Sequence, residues 1–181
     1  LYLANYVTAY GGDWRKGGLT EAIAGVADAH STSESDLILV NYLSDAYRDV
    51  GDGSEEWRHA QHVDIRHAPS ARTDGIEIAS RDEGDIGYRV WQALSLSAMR
   101  AEMLGDISAR ILLGGMQDHD LPRGYPGVLE EFFLSASAGQ PIYIIGGFGG
   151  CAKCIVDALH GKARIRDFAP SIYDPTFSQL Y

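Results

Sequence analysis

The sequence predicts an α/β fold with an open, mainly parallel sheet flanked by helices. Apolar runs of strand length, DLILVNYL and PIYII among them, lack the polar alternation of a half-solvated strand. That is the pattern expected where helices cover both faces of a parallel sheet. Three strands run into glycines and then into a helix-period segment, which is the repeating unit of parallel α/β sheets. With 45% hydrophobic and 22% charged residues in 181 positions, the composition fits one domain with a sizeable core, so 1–181 reads as a single domain.

Taken in order, LYLANYVTAY reads as a helix end running into a strand that finishes near Tyr10. Gly11-Gly12-Asp13-Trp14-Arg15-Lys16-Gly17-Gly18 follow, and then LTEAIAGVADAH. Thr20 and Glu21 mark a helix start there, and Leu19, Ile23, Val26 and Ala27 repeat at helical spacing. The glycines let backbone approach a ligand, with Arg15 and Lys16 supplying positive charge. The alternative is a tight turn with solvated basic residues. Asp36 to Leu43 is predicted as a strand buried on both faces. Ser44 to Glu56 turns polar and reads as a surface loop. His59, His62, Asp64 and His67 gather around the short strand HVDIRH. Imidazole and carboxylate are common metal ligands, but these nearly alternate along an extended chain and no second cluster supports them. A solvated strand edge is preferred, and no metal is expected. Residues 69–84 carry turn formers without a period.

Asp85 is placed to cap a long helix, IGYRVWQALSLSAMRAEMLGD, with Val90, Leu94, Ala98 and Met99 toward the core and Arg100 at the edge of that stripe. Ala109 to Leu113 reads as a short buried strand ending in Gly114-Gly115, and a new helix opens at Gly127. The first-turn N–H groups of such a helix are unsatisfied and the macrodipole adds positive charge, so the junction suits a phosphate. Arg100 before it, and Glu130 and Glu131 after it, would bracket a pocket that grips phosphate and a ribose hydroxyl together. The plainer alternative is a first turn that favours Glu and a surface Arg. Pro141 to Ile145 is predicted as a third buried strand, followed by Gly146 to Gly150 and the helix CAKCIVDALHG, closed by Gly161. Glycine loops at the carboxyl edge of a parallel sheet make a nucleotide-sized cleft. Cys151 and Cys154 have redox-motif spacing, yet their surroundings favour two small residues packing a helix against the sheet.

A net charge of −10 argues against DNA or RNA as partner. No run is long enough for a membrane span and no signal pattern opens the chain. Two cysteines are too few for a disulfide framework, so a cytoplasmic location is expected. Leu1 begins inside an apolar pattern and PTFSQLY stops abruptly, as expected of a segment cut from a larger polypeptide.

AYGGDWRKGGLTE, MRAEM, ARILLGG, GYPGVLEEF and PIYIIGGFGGCAKCI, in this order, resemble the SLOG superfamily of Rossmann-like domains. The branch found beside Sir2 and TIR domains, STALD, is the most similar. Ordered motifs over most of a chain are far more specific than a lone glycine signature. The resemblance implies a Rossmann-like three-layer fold. It also implies a sensor for a nucleotide or NAD-derived messenger, such as a cyclic ADP-ribose isomer, as in Thoeris antiviral effectors. A linked TIR or Sir2 domain would consume NAD, this domain would need no cofactor, and ligand would act through a homo-oligomer.

Motif by motif, the resemblance implies that Gly11, Gly12 and Arg15 line a phosphate site. Arg100 would hold a phosphate or pyrophosphate, and Glu131 with Glu130 would bind ribose hydroxyls. Gly114, Gly115 and Gly127 would line the floor together with Gly147, Phe148 and Gly149. Met116 departs from the pattern, because relatives often carry a basic residue after the LGG, and this bears on which isomer is read. The family's first strand and most of its helix are expected before Leu1. The same superfamily contains LOG phosphoribohydrolases, which cleave an N-glycosidic bond and in which Arg100 and Glu131 would be catalytic. Their P-G-G-x-G-T run is broken here by MQDHDLPRGY, and Val128 replaces the threonine. Binding without catalysis is therefore the preferred expectation.

Overall fold

The computed structural model describes residues 6–30, 38–48, 62–71, 78, 80–82, 84–117 and 126–163. The α/β class is observed: every described strand pairs in parallel, in open sheets flanked by helices, consistent with a Rossmann-like three-layer fold. The described chain forms two compact units, one of residues 1–73 and 95–105, the other of 74–94 and 106–181. Each is taken by itself. The expected helix end before Val7, residues 36–37, the loop beyond Arg48, His59 and most of 72–79 lie outside the described residues.

The first unit is a three-stranded parallel sheet of β1 (Thr8–Gly11), β2 (Leu39–Leu43) and β3 (Val63–His67) in that spatial order. Thr8 lies opposite Leu39, and Leu39 opposite Val63. The central strand β2 is buried at all its positions, as its apolar run, interrupted only by Asn41, predicts. Helix α1 (Leu19–His30) covers the sheet, but by a different face from the one its apolar residues suggest. Thr20, Ala24 and Ala27 are buried and Ile23 half-buried, whereas Leu19 and Val26 are exposed. Small residues at i, i+4 and i+7 let the helix lie close against Trp14, Ile38, Leu39 and Val63. The end of the long helix α2 (Ile86–Asp106) also belongs here, with Met99 and Met103 buried.

The rest of α2 belongs to the second unit. Its start is capped as predicted: the Asp85 carboxylate accepts from the Tyr88 amide at 2.7 Å. Val90 is buried, while Leu94 here and Ala98, in the first-unit part of the helix, are only half-buried. The second unit also holds the parallel pair β4 (Arg110–Leu113) and β5 (Ile142–Ile145), with Leu112 opposite Ile144. Helices α3 (Gly127–Ser137) and α4 (Gly150–Leu159) pack on one face of this pair. Leu112, Ile142 and Ile144 meet Leu129, Cys151 and Ile155 there.

The expectation that both strands are buried throughout is corrected. Ile111, Leu113, Tyr143 and Ile145 share the other face and are exposed, because among the described residues of this unit the helices cover one face only. Side chains of a strand alternate between faces, so half of each apolar run stays outside. Gly161 closes α4 as predicted, with its amide bonded to Ala158 and that of Lys162 to Asp157. No helix among the described residues is long and apolar enough to cross a membrane.

Candidate functional site

In the first unit the loop after β1 is built from the sheet outward. Gly12 extends the ladder by donating to the Tyr42 carbonyl at 3.2 Å. Asn41, fully buried on β2, donates its amide to the carbonyls of Tyr10 and Gly12 at 3.2 and 3.0 Å and accepts from the Trp14 indole N–H at 2.8 Å. The turn closes when Glu21, in the first turn of α1, accepts from the Gly17 amide at 2.6 Å. Arg15 is exposed and clamped by Asp13 through Nε at 2.8 Å and a terminal nitrogen at 2.6 Å. That hydrogen bond holds the Asp13 carboxyl below its ordinary value. A ligand phosphate would therefore share Arg15 with Asp13. Met99 packs against Gly11, where an added Cβ would stand 2.6 Å from its methyl group, so Arg100, the next residue, lies in the same unit as Gly11, Gly12 and Arg15 and is half-buried.

On β3, Asp64 is engaged by Arg66 at 2.8 Å, and Arg66 also donates to the Tyr42 hydroxyl at 3.1 Å. His62 is buried. Among the described residues no three His, Cys, Asp or Glu side chains form a set that could hold a metal ion.

In the second unit the two glycine loops meet. The carbonyls of Gly114 and Gly115 accept from the amides of Ala152 and Cys151 at 2.8 and 3.0 Å, so the end of β4 caps the start of α4. Gly150 sits at φ +66°, and a Cβ there would stand 2.5 Å from the Gly115 oxygen. Gly115, at φ +84°, lies against Val128 in the first turn of α3, where a Cβ would come within 2.5 Å. The stretch MQDHDLPRGY separates Gly115 from Gly127 in sequence, yet the two motif halves adjoin in space. The GGFGG segment is a single 3-10 turn (Gly146–Phe148) leading into α4, with Phe148 75% exposed.

Helix α3 opens at Gly127, as predicted, behind the fully buried Pro126. Pro126 accepts from the amides of Leu129 and Glu130. Those of Gly127 and Val128 have no acceptor among the described residues. Glu130 is buried. Glu131 is met by Arg110, whose terminal nitrogen lies 2.7 Å from its carboxylate. Cys151 is buried in the helix–sheet core, and burial, with Cys154 adding to it, pushes its thiol up to about 11. The packing reading holds for Cys151. Cys154 is half-buried, and its sulfur accepts from the Gln117 amide at 3.0 Å.

A family model, SLOG cluster2, matches residues 3–169 and thus spans both units. The chain belongs to the SLOG cluster2 family. No curated protein and no solved structure matches it. Membership makes this a nucleotide-related SLOG domain.

Asn41 and Arg110 went unremarked in the sequence, although each interrupts an apolar strand with a polar residue. That interruption is the signal that could have found them, because a buried polar group is retained only with partners.

Proposed function

We propose that this SLOG domain is a sensor, of the STALD kind, for a nucleotide-derived messenger such as a cyclic ADP-ribose isomer. Its ligand would switch on a linked NAD-consuming TIR or Sir2 domain in antiviral defence, through a change of assembly in a homo-oligomer. The observation that supports this best is the first turn of α3. Two amides without an acceptor among the described residues, Gly127 and Val128, sit one turn from the fixed carboxylate of Glu131. Amides at a helix N-terminus suit phosphate, and a carboxylate suits sugar hydroxyls. Together they fit a phosphorylated riboside. The exposed ring of Phe148 offers a face for a base. Arg15 and Arg100 are the proposed phosphate-binding cations of the first unit.

Calorimetry with cyclic ADP-ribose isomers and cyclic oligonucleotides tests the reading: saturable binding without product is expected, and Arg100→Ala should abolish it while circular dichroism stays unchanged. Normal binding by Arg100→Ala would overturn the assignment of Arg100. The LOG-like alternative draws on the same Glu131, since a paired carboxylate could stabilise an oxocarbenium-like centre. It predicts release of free base from AMP-like nucleotides, lost on Glu131→Gln. Prolonged incubation without release would count against it.

A further inference from the structure

We infer that Arg110 is a positioning residue, which aims the Glu131 carboxylate so that the second unit can distinguish ribose from deoxyribose. The inference rests on the reading above, in which Glu131 meets the sugar of a nucleotide. Arg110 opens β4, and its side chain is only 4% exposed. Its Nε donates to the Ser135 hydroxyl at 2.7 Å, and one terminal nitrogen donates to the Glu131 carboxylate at 2.7 Å. Glu131 and Ser135 are four residues apart on α3, so one planar guanidinium spans two successive turns of the helix. The fork of an arginine fixes direction as well as distance, which a lysine would not do.

Exposure differs sharply across the pair. The carboxylate side chain keeps 24% of its surface while the guanidinium keeps 4%. Arg110 is therefore out of a ligand's reach, and the residue it holds is within reach. Its remaining terminal nitrogen is buried without a hydrogen-bond partner among the described residues. Such a charge is poor value for stability alone, because an apolar residue would fill an inward-facing strand position at lower cost. What the charge does is remove freedom from a glutamate. Two neighbouring sugar hydroxyls can bond one carboxylate well only if that carboxylate is already oriented. Ordering it in advance removes an entropy cost from binding.

The test titrates the intact chain with ADP-ribose and with 2′-deoxy-ADP-ribose. Wild type should prefer the ribose probe by about tenfold, the scale of one hydrogen bond to a charged group. Arg110→Met should bring the two affinities within about twofold by weakening the ribose probe alone, and Arg110→Lys should restore part of the preference. Ser135→Ala keeps the charge but frees the guanidinium, and should erode the preference in the same direction. It carries the test if Arg110→Met fails to fold. Equal weakening of both probes in the folded variants would mean a merely structural role and overturn the inference. Wild-type binding without preference would overturn it while leaving nucleotide binding in place. No wild-type binding of either probe would overturn this inference alone, since the proposed function is decided by the titration with cyclic ADP-ribose isomers and cyclic oligonucleotides.

Discussion

Asn41 and Trp14 are joined by a buried hydrogen bond of 2.8 Å between the indole N–H and the amide oxygen, and this bond ties the glycine loop after β1 to the central strand. The same amide donates to the carbonyls of Tyr10 and Gly12. One side chain thus bonds one indole N–H and two main-chain carbonyls at once.

Asn41→Ala should destabilise the chain by about 2–4 kcal/mol, since three hydrogen bonds, one of them to a buried indole, are lost at once. Trp14→Phe keeps most of the packing and loses one bond, so about 1–2 kcal/mol is expected. Urea denaturation followed by circular dichroism would compare the two. An Asn41→Ala variant as stable as wild type would show that the loop is held by other means.

Gly150→Ala and Gly147→Ala separate backbone necessity from sequence habit. At Gly150 the new methyl would collide with the main chain of Gly114 and Gly115, in a left-handed conformation. A loss of about 3 kcal/mol or more is expected, because strain and collision add. Nothing lies within 4 Å of a Cβ at Gly147, so that variant should stay within about 0.5 kcal/mol of wild type. Thermal melts of both variants decide the matter, and a ligand-binding defect in Gly147→Ala would then report contact with ligand.

Cys151 makes stability depend on pH in a predictable direction. Burial pushes its folded-state thiol up to about 11, above the roughly 8.5 of an unfolded thiol. The folded chain keeps a proton that the unfolded chain releases, so this contribution is whole below about pH 8.5 and is lost as pH rises toward 11. Cys151→Ala should flatten the fall in the denaturation midpoint between pH 8 and pH 10.5. An equally steep fall in that variant would assign the effect to other groups. In the native protein, iodoacetamide should label Cys154 before Cys151.

Much of the fold was legible in the residues themselves. β2 reads as a doubly covered strand because nothing polar alternates in it, and α3 begins at Gly127 behind a proline. The Asp85 cap follows from a short acidic side chain just ahead of an amphipathic run. Burial was less legible. Leu19 and Val26 look like core residues by their spacing, yet α1 turns Thr20, Ala24 and Ala27 inward. Close helix–sheet approach rewards small side chains, which hydropathy undervalues. The outer faces of β4 and β5 show the complementary limit: an apolar run states that burial is favourable, without stating how many faces receive it.

The candidate site was legible as motifs rather than as geometry. Glycine loops and the Glu130–Glu131 pair stand out in a linear reading. The connection of Glu131 to Arg110, twenty-one positions away, depends on strand β4 and helix α3 lying side by side. So does the adjacency of Gly115 and Val128 across MQDHDLPRGY.

The bonds from Gly114 and Gly115 to the start of α4 are made wholly by main-chain atoms. Exchanging the side chain of Met116 or Gln117 leaves these main-chain donors and acceptors in place. The two loops therefore stay joined whatever side chains Met116 and Gln117 carry. Only the glycines that let the two backbones touch would be barred from drifting.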